Sequence, residues 1–213
     1  MDLLRIMIFQ ATAYNKEILG NEDILKMKYI TRVQMLIPHH ARSAIHVSHR
    51  GEIIEFSQIL TYNYKDTGLG NPYHDLFHDD ITFRQEEGET LRINMQKFLD
   101  DEKNVVNGER VYPEVLDVLI DFSVDPSLFS FTWLISWQGP ISDSKSQVYE
   151  AIIEPAILDY NIDSMYIFPQ GTRVIEVISS LDYDNEISHV LIYKGKKGQE
   201  VDEIERITWL LEE

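Results

Sequence analysis

Cysteine is absent from this chain of 213 residues. Disulfide bonds, thiolate metal ligands and a cysteine nucleophile are thereby excluded, and an intracellular (cytoplasmic) or particle-associated setting is the expectation. Glycine and proline are sparse, at 10 and 7 residues, which excludes a collagen-like or low-complexity chain. No apolar run approaches the ~18 residues that read as a membrane-spanning helix. Leu3–Phe9 followed by Ala11-Thr12-Ala13 faintly resembles a secretory leader. Arg5 interrupts that run and Asp2 stands where a basic region belongs, so neither a signal peptide nor a transmembrane segment is expected. There is no G-x-S-x-G nucleophile elbow, and Gly68-Leu69-Gly70 lacks the continuation that cradles phosphates.

Positive charge is scarce as well. The chain has 19 Lys and Arg against 36 Asp and Glu, a net charge of −17. The deficit is uneven: residues 1–60 hold 6 acids and 7 bases, whereas residues 61–213 hold 30 acids and 12 bases. A surface so acidic repels phosphate and attracts cations, which argues against direct nucleic-acid binding and against an anionic membrane. Pro38–Gly51 is the exception, with four His, two Arg and no acid.

What remains is a foldable composition, 44% hydrophobic and 11% aromatic, consistent with a single β-rich domain over residues 1–213. A less acidic N-terminal hairpin region, about residues 1–64, would be followed by a loop at 65–73, where Gly68, Gly70, Asn71 and Pro72 gather. Alternation of period two dominates. Phe129, Phe131, Trp133, Ile135 and Trp137 alternate with Ser130, Thr132 and Ser136; Leu116, Val118, Ile120 and Phe122 alternate with Asp117 and Asp121. The strands expected are Leu25–Ile37, Ala44–Tyr62 and Ile81–Met95 as hairpins, Val115–Trp137 and Met165–Tyr193. Turns are expected at Arg50-Gly51, Asn107-Gly108, Glu86–Glu89, Pro169–Gly171 and Lys194–Gly198. Asn107-Gly108 suits a type I′ hairpin turn, in which both residues take positive φ. The fold class is therefore mainly β, an antiparallel sandwich or partly closed barrel of some nine or ten strands with one or two helices. One helix is expected near 144–158, capped by Asp143 and ended by Pro155. Residues 201–211 read as a helix or as a last strand over Ile204–Leu210. Residues 2–10 also fit either state.

Six of the seven histidines fall between His39 and His78. His74 and His78 stand four residues apart, the spacing of a two-histidine metal platform on a helix, with Asp79 beside them as a further oxygen donor. Asp75 is too short to play the glutamate of H-E-x-x-H, and a polar loop leading into a strand at Ile81–Gln85 is the competing expectation. His46-Val47-Ser48 has the spacing of half a two-histidine phosphoesterase site, but His189-Val190-Leu191 lacks the hydroxyl of a second half. The acidic runs Asp79-Asp80, Asp100-Asp101-Glu102 and Asp182-Tyr183-Asp184 read as solvated turns. Trp133 and Trp137 read as core.

Arg42, His46 and Arg50 are the expected interface residues, a mildly cationic surface facing carboxylates of other protein subunits in a homo- or hetero-oligomer. By elimination, the function expected is that of a non-enzymatic structural or assembly protein in a larger complex, such as a virion tail, neck or baseplate component. Two alternatives compete. One is a metal-dependent hydrolase using the histidine cluster, with a transition metal as cofactor; the other is an acidic inhibitor or immunity protein covering a basic partner. The assembly reading needs no cofactor.

Overall fold

The computed structural model describes residues 36–68, 72–152, 154–202 and 204–211. Residues 25–35 of the expected strand Leu25–Ile37 and the segment 2–10 lie outside them, while Leu36 and Ile37 open the first described strand. The elements run in the order β1 (Leu36–Arg50), β2 (Ile53–Asp66), α1 (Pro72–Asp79), α2 (Ile81–Asp101), β3 (Lys103–Val106), β4 (Glu109–Val111), β5 (Glu114–Phe122), β6 (Leu128–Pro140) and β7 (Ser146–Ile152). There follow β8 (Ala156–Ile157), β9 (Asn161–Ile167), β10 (Arg173–Ile178), β11 (Asp182–Asp184), β12 (Val190–Gly195), β13 (Glu200–Val201) and β14 (Ile204–Leu210).

Two sheets make the sandwich, and neither closes into a barrel. The larger has the strand order β11-β12-β9-β1-β2-β6-β5, the smaller β10-β14-β7-β3-β4, and β13 pairs β8 in a short ribbon. Every pairing is antiparallel except β1 with β9, so the larger sheet is mixed rather than purely antiparallel. Aromatic side chains fill the space between the sheets. Phe56 of β2 stacks on Trp137 of β6 at 4.8 Å, tilts against Tyr149 of β7 at 5.4 Å and meets the edge of Trp209 of β14 at 6.5 Å. Each such pair contributes ~0.5–1.5 kcal/mol beyond its buried area. Trp133 and Trp137 are core, as their positions in the alternation require. The turn at Asn107-Gly108 has φ of 50° and 85°, both positive as a type I′ turn demands.

Three expectations are corrected. Ile81–Met95 is not a hairpin but the first part of helix α2. The Asp80 carboxylate caps it, accepting from the backbone N–H of Thr82 at 2.9 Å and of Phe83 at 3.0 Å. Glu87, Leu91, Met95 and Leu99 recur at four-residue spacing on its buried face. The Trp133 indole donates to the Leu91 carbonyl at 3.3 Å, which fixes α2 over the inner face of the larger sheet beside the smaller one. The second correction is 144–158, where β7 and β8 stand in place of a helix. Gln147, Tyr149 and Ala151 point inward at period two, and the Gln147 amide holds the preceding bend by accepting from Ser142 N–H at 2.8 Å and donating to Ser144 O at 2.6 Å. Third, the loop expected at 65–73 is cut short at both ends, because β2 runs to Asp66 and helix α1 begins at Pro72; of the helix and the loop open for His74–Asp79, the helix is formed. Of the two states open for residues 201–211, the strand is the one formed, at Ile204–Leu210.

Candidate interaction face

The inner face of the larger sheet is covered by the smaller sheet and by α2. Its outer face carries the expected interface residues. Along β1 the odd-numbered positions Ala41, Ser43, Ile45 and Val47 are buried, which turns Arg42, Ala44, His46 and Ser48 outward. Register then decides what lies beside them. Ala44 is flanked by Ile59 of β2 and Met165 of β9; Ile59 is followed by Leu134 of β6, and Met165 by Ile192 of β12. Five strands thus contribute one apolar row to the outward face, with Ala44 at its middle and Ile59 beside it 53% exposed. Leaving that side chain half in water forgoes about half of the roughly 1.5–3 kcal/mol its full burial would give.

Basic side chains border the row on both sides. Arg42 lies one register step away between Thr61 and Asp163, and His46 one step the other way between Ser57 and Ile167. Arg50 ends the strand opposite Ile53. Asp163 is engaged by the His40 ring, with Nε2 to Oδ2 at 2.8 Å. Among the described residues no carboxylate pairs with Arg42, His46 or Arg50. The outer face of the smaller sheet is built the other way. There Arg206 is clamped to Glu150 by bonds of 2.6 and 2.7 Å, and Thr208 Oγ1 donates to Glu176 at 3.3 Å.

The remaining histidines do not converge. His39, His40, His46 and His49 are spread along β1, and burial holds His39 and His49 below the ordinary imidazole range, His39 with further help from His40 and Lys65. His74 and His78 do meet, on α1, with ring centroids 4.3 Å apart. Asp79 follows His78 directly and therefore projects about 100° further round the helix, away from the pair. No group of three or more His, Asp or Glu side chains suited to a metal ion occurs among the described residues. A cleft of about 530 Å³ opens between the edge strands β4 and β5, lined by Glu109, Arg110, Tyr112, Glu114 and Trp137 among others. It holds Arg110 over the Tyr112 ring at 5.0 Å, and its lining includes Ser136 of β6, which Glu114 of β5 faces in register. No described helix is long and apolar enough to cross a membrane.

Sequence reasoning placed His46 in an expected strand, Arg42 ahead of it and Arg50 at its turn, whereas all three stand on β1; it missed Ile59, Leu134, Met165 and Ile192 beside them. The signal was there. Ile53, Ile54, Phe56, Ile59 and Leu60 make β2 apolar at both parities, the mark of a strand with two faces to cover.

No protein family and no curated protein matches the sequence. Among solved structures, native leukotriene A4 hydrolase from Saccharomyces cerevisiae aligns with 83% of the chain at 12% identity and a TM-score of 0.32, and the chain spans 29% of that protein's length. Capitella teleta AChBP in complex with lobeline aligns with 81% of the chain at 9% identity, covering 84% of its own length at a TM-score of 0.27. The Fcho1 mu homology domain from Danio rerio aligns with 83% at 8% identity, covering 81% of its own length with a TM-score of 0.21.

Proposed function

We propose that the protein is a non-enzymatic structural or assembly component, acting through the outer face of its larger sheet in contact with a second copy of itself. One observation carries the reading: an outward apolar row, exposed at Ile59 and half-buried at Ala44, Leu134, Met165 and Ile192, bordered by Arg42, His46 and Arg50, which have no carboxylate partner among the described residues. The second copy is favoured by charge. The chain has 30 acids and 12 bases beyond residue 60, so each copy offers the anionic surface that another copy's β1 lacks. A contact between two different patches of the same chain is heterologous and builds rings or stacks. The proposed setting is a particle such as a viral tail, neck or baseplate; an all-β chain without a catalytic motif is the support for it.

The test is sedimentation velocity over a range of concentrations. Wild-type protein is expected to associate near 0.1 M salt and to dissociate toward 1 M, where the Debye length falls to about 3 Å. Arg42→Glu with Arg50→Glu should leave a monomer at every concentration with an unchanged melting temperature. Wild-type protein that stays monomeric at high concentration and moderate salt contradicts the reading.

A further inference from the structure

The assembly face makes no use of α1, whose two histidines form a separate constellation. We propose that His74 and His78 form a surface chelating site for a late first-row divalent metal ion, with copper(II) held above nickel(II) and zinc(II). On a helix, positions four apart lie one above the other, so both imidazoles project from one stripe. In α1 their ring centroids are 4.3 Å apart, and both rings rest against Phe122 of β5, at 5.2 and 5.3 Å. The Phe122 ring makes a wall on one side and leaves the other open. His74 is 31% exposed and His78 is exposed. The Asp75 carboxylate lies 3.2 Å from His74 Nδ1, the arrangement that leaves Nε2 as the free lone pair and raises its basicity as a ligand.

The platform is held in place before any metal arrives. Asp66 is buried at the end of β2 and accepts from Gly68 N–H at 2.8 Å and from Tyr73 N–H at 3.1 Å, tying down the first turn of α1. The Tyr73 hydroxyl donates to Glu87 of α2 at 3.0 Å, and its ring stacks on Phe129 at 4.8 Å. Preorganisation of this kind lowers the ordering cost of binding. The described residues supply no third side-chain donor, so water fills the other positions and the ion exchanges readily. Two imidazoles with water favour copper(II) over the other divalent ions of the series.

The test uses untagged protein stripped with EDTA and titrated calorimetrically with copper(II), nickel(II) and zinc(II) chlorides. One site with affinity in the order copper, then nickel and zinc, is expected. The electron paramagnetic resonance spectrum of the one-to-one copper complex should show coupling to two imidazole nitrogens. His74→Ala and His78→Ala should each weaken binding by about tenfold or more, the range seen even for losses outside the ligand set itself. Asp79→Ala should leave binding unchanged. In wild-type protein, which needs no variant to fold, copper(II) should selectively broaden nuclear magnetic resonance signals of His74, His78 and Phe122. Broadening centred on the β1 histidines, or a histidine variant that binds as tightly as wild type, overturns the assignment. Asp79→Ala weakening binding as much as His78→Ala overturns the geometry on which it rests.

Discussion

At Gly139 of β6 the larger sheet approaches β3 of the smaller one closely, and adding one carbon there measures that approach. The residue faces inward on β6, opposite Ile54 of β2. A Cβ placed on it would lie 2.6 Å from Val106 Cγ1 and 2.8 Å from Val106 Cγ2, and nearer still to Val106 Cβ on the facing strand β3. Carbon atoms in contact prefer about 3.5–4.0 Å, so Gly139→Ala must push β3 and β6 apart. The cost of such overpacking is about 1–3 kcal/mol. Val106→Ala, at a fully buried site, removes two methyl groups worth roughly 0.8 kcal/mol each plus a cavity term. In the double variant the two Cγ contacts are gone while the Cβ contact remains, so relief is partial. The expected coupling is about 0.5–2 kcal/mol, making the double variant more stable than the summed single effects. Urea unfolding followed by tryptophan fluorescence reads all four proteins, with equal m-values as the check that one transition is being compared. Additivity within ~0.3 kcal/mol, or a Gly139→Ala variant as stable as wild type, would refute a contact this close between the sheets.

Two further substitutions probe features the sequence concealed. Gly88 sits inside α2, and a Cβ there would meet only Val118 Cγ1, at 4.0 Å; Gly88→Ala should therefore stabilise the protein by about 0.5–1 kcal/mol in the same urea assay. A loss of stability would mean that Gly88 is required by packing. Glu205 is buried beside Tyr166, whose hydroxyl donates to it at 3.4 Å, and burial pushes its carboxyl above the usual range. Its folded state therefore holds the proton to higher pH than the unfolded state, whose pKa is about 4.3. The stability linked to that proton is fully present below the unfolded value and is lost as pH rises through the raised folded value. Glu205→Gln should remove this loss, so wild-type stability minus variant stability should decline across that window and then level off. A difference that is flat in pH would show that Glu205 titrates alike in both states.

Much of the sheet structure was legible because period two survives wherever one face is buried. β6 from Leu128 to Pro140 is the plain case, with Phe129, Phe131, Trp133, Ile135 and Trp137 inward. Helix α2 was hidden by Gly88, which reads as a turn in Glu86–Glu89, and by a buried face that includes the carboxylate of Glu87 rather than a fully apolar stripe. β7 was hidden by Gln147, a polar residue at an inward position whose amide is spent on the neighbouring bend. The histidine pair was visible as a spacing, but the helix that makes the spacing meaningful depends on Asp66 and Glu87, contacts 7 and 14 residues away from Tyr73. The cationic residues of β1 were found from charge alone. Their apolar neighbours come from four other strands, and only register brings them together.

The most direct measurement replaces Ile59 with a photoreactive benzoylphenylalanine and identifies by mass spectrometry what it captures on illumination. Mixed isotopically light and heavy protein distinguishes captures within one chain from captures between chains. The account predicts crosslinks between light and heavy copies, joining Ile59 to an acidic segment beyond residue 60 and fading at high salt. Crosslinks confined to one chain, or none at concentrations where other surfaces associate, would contradict it.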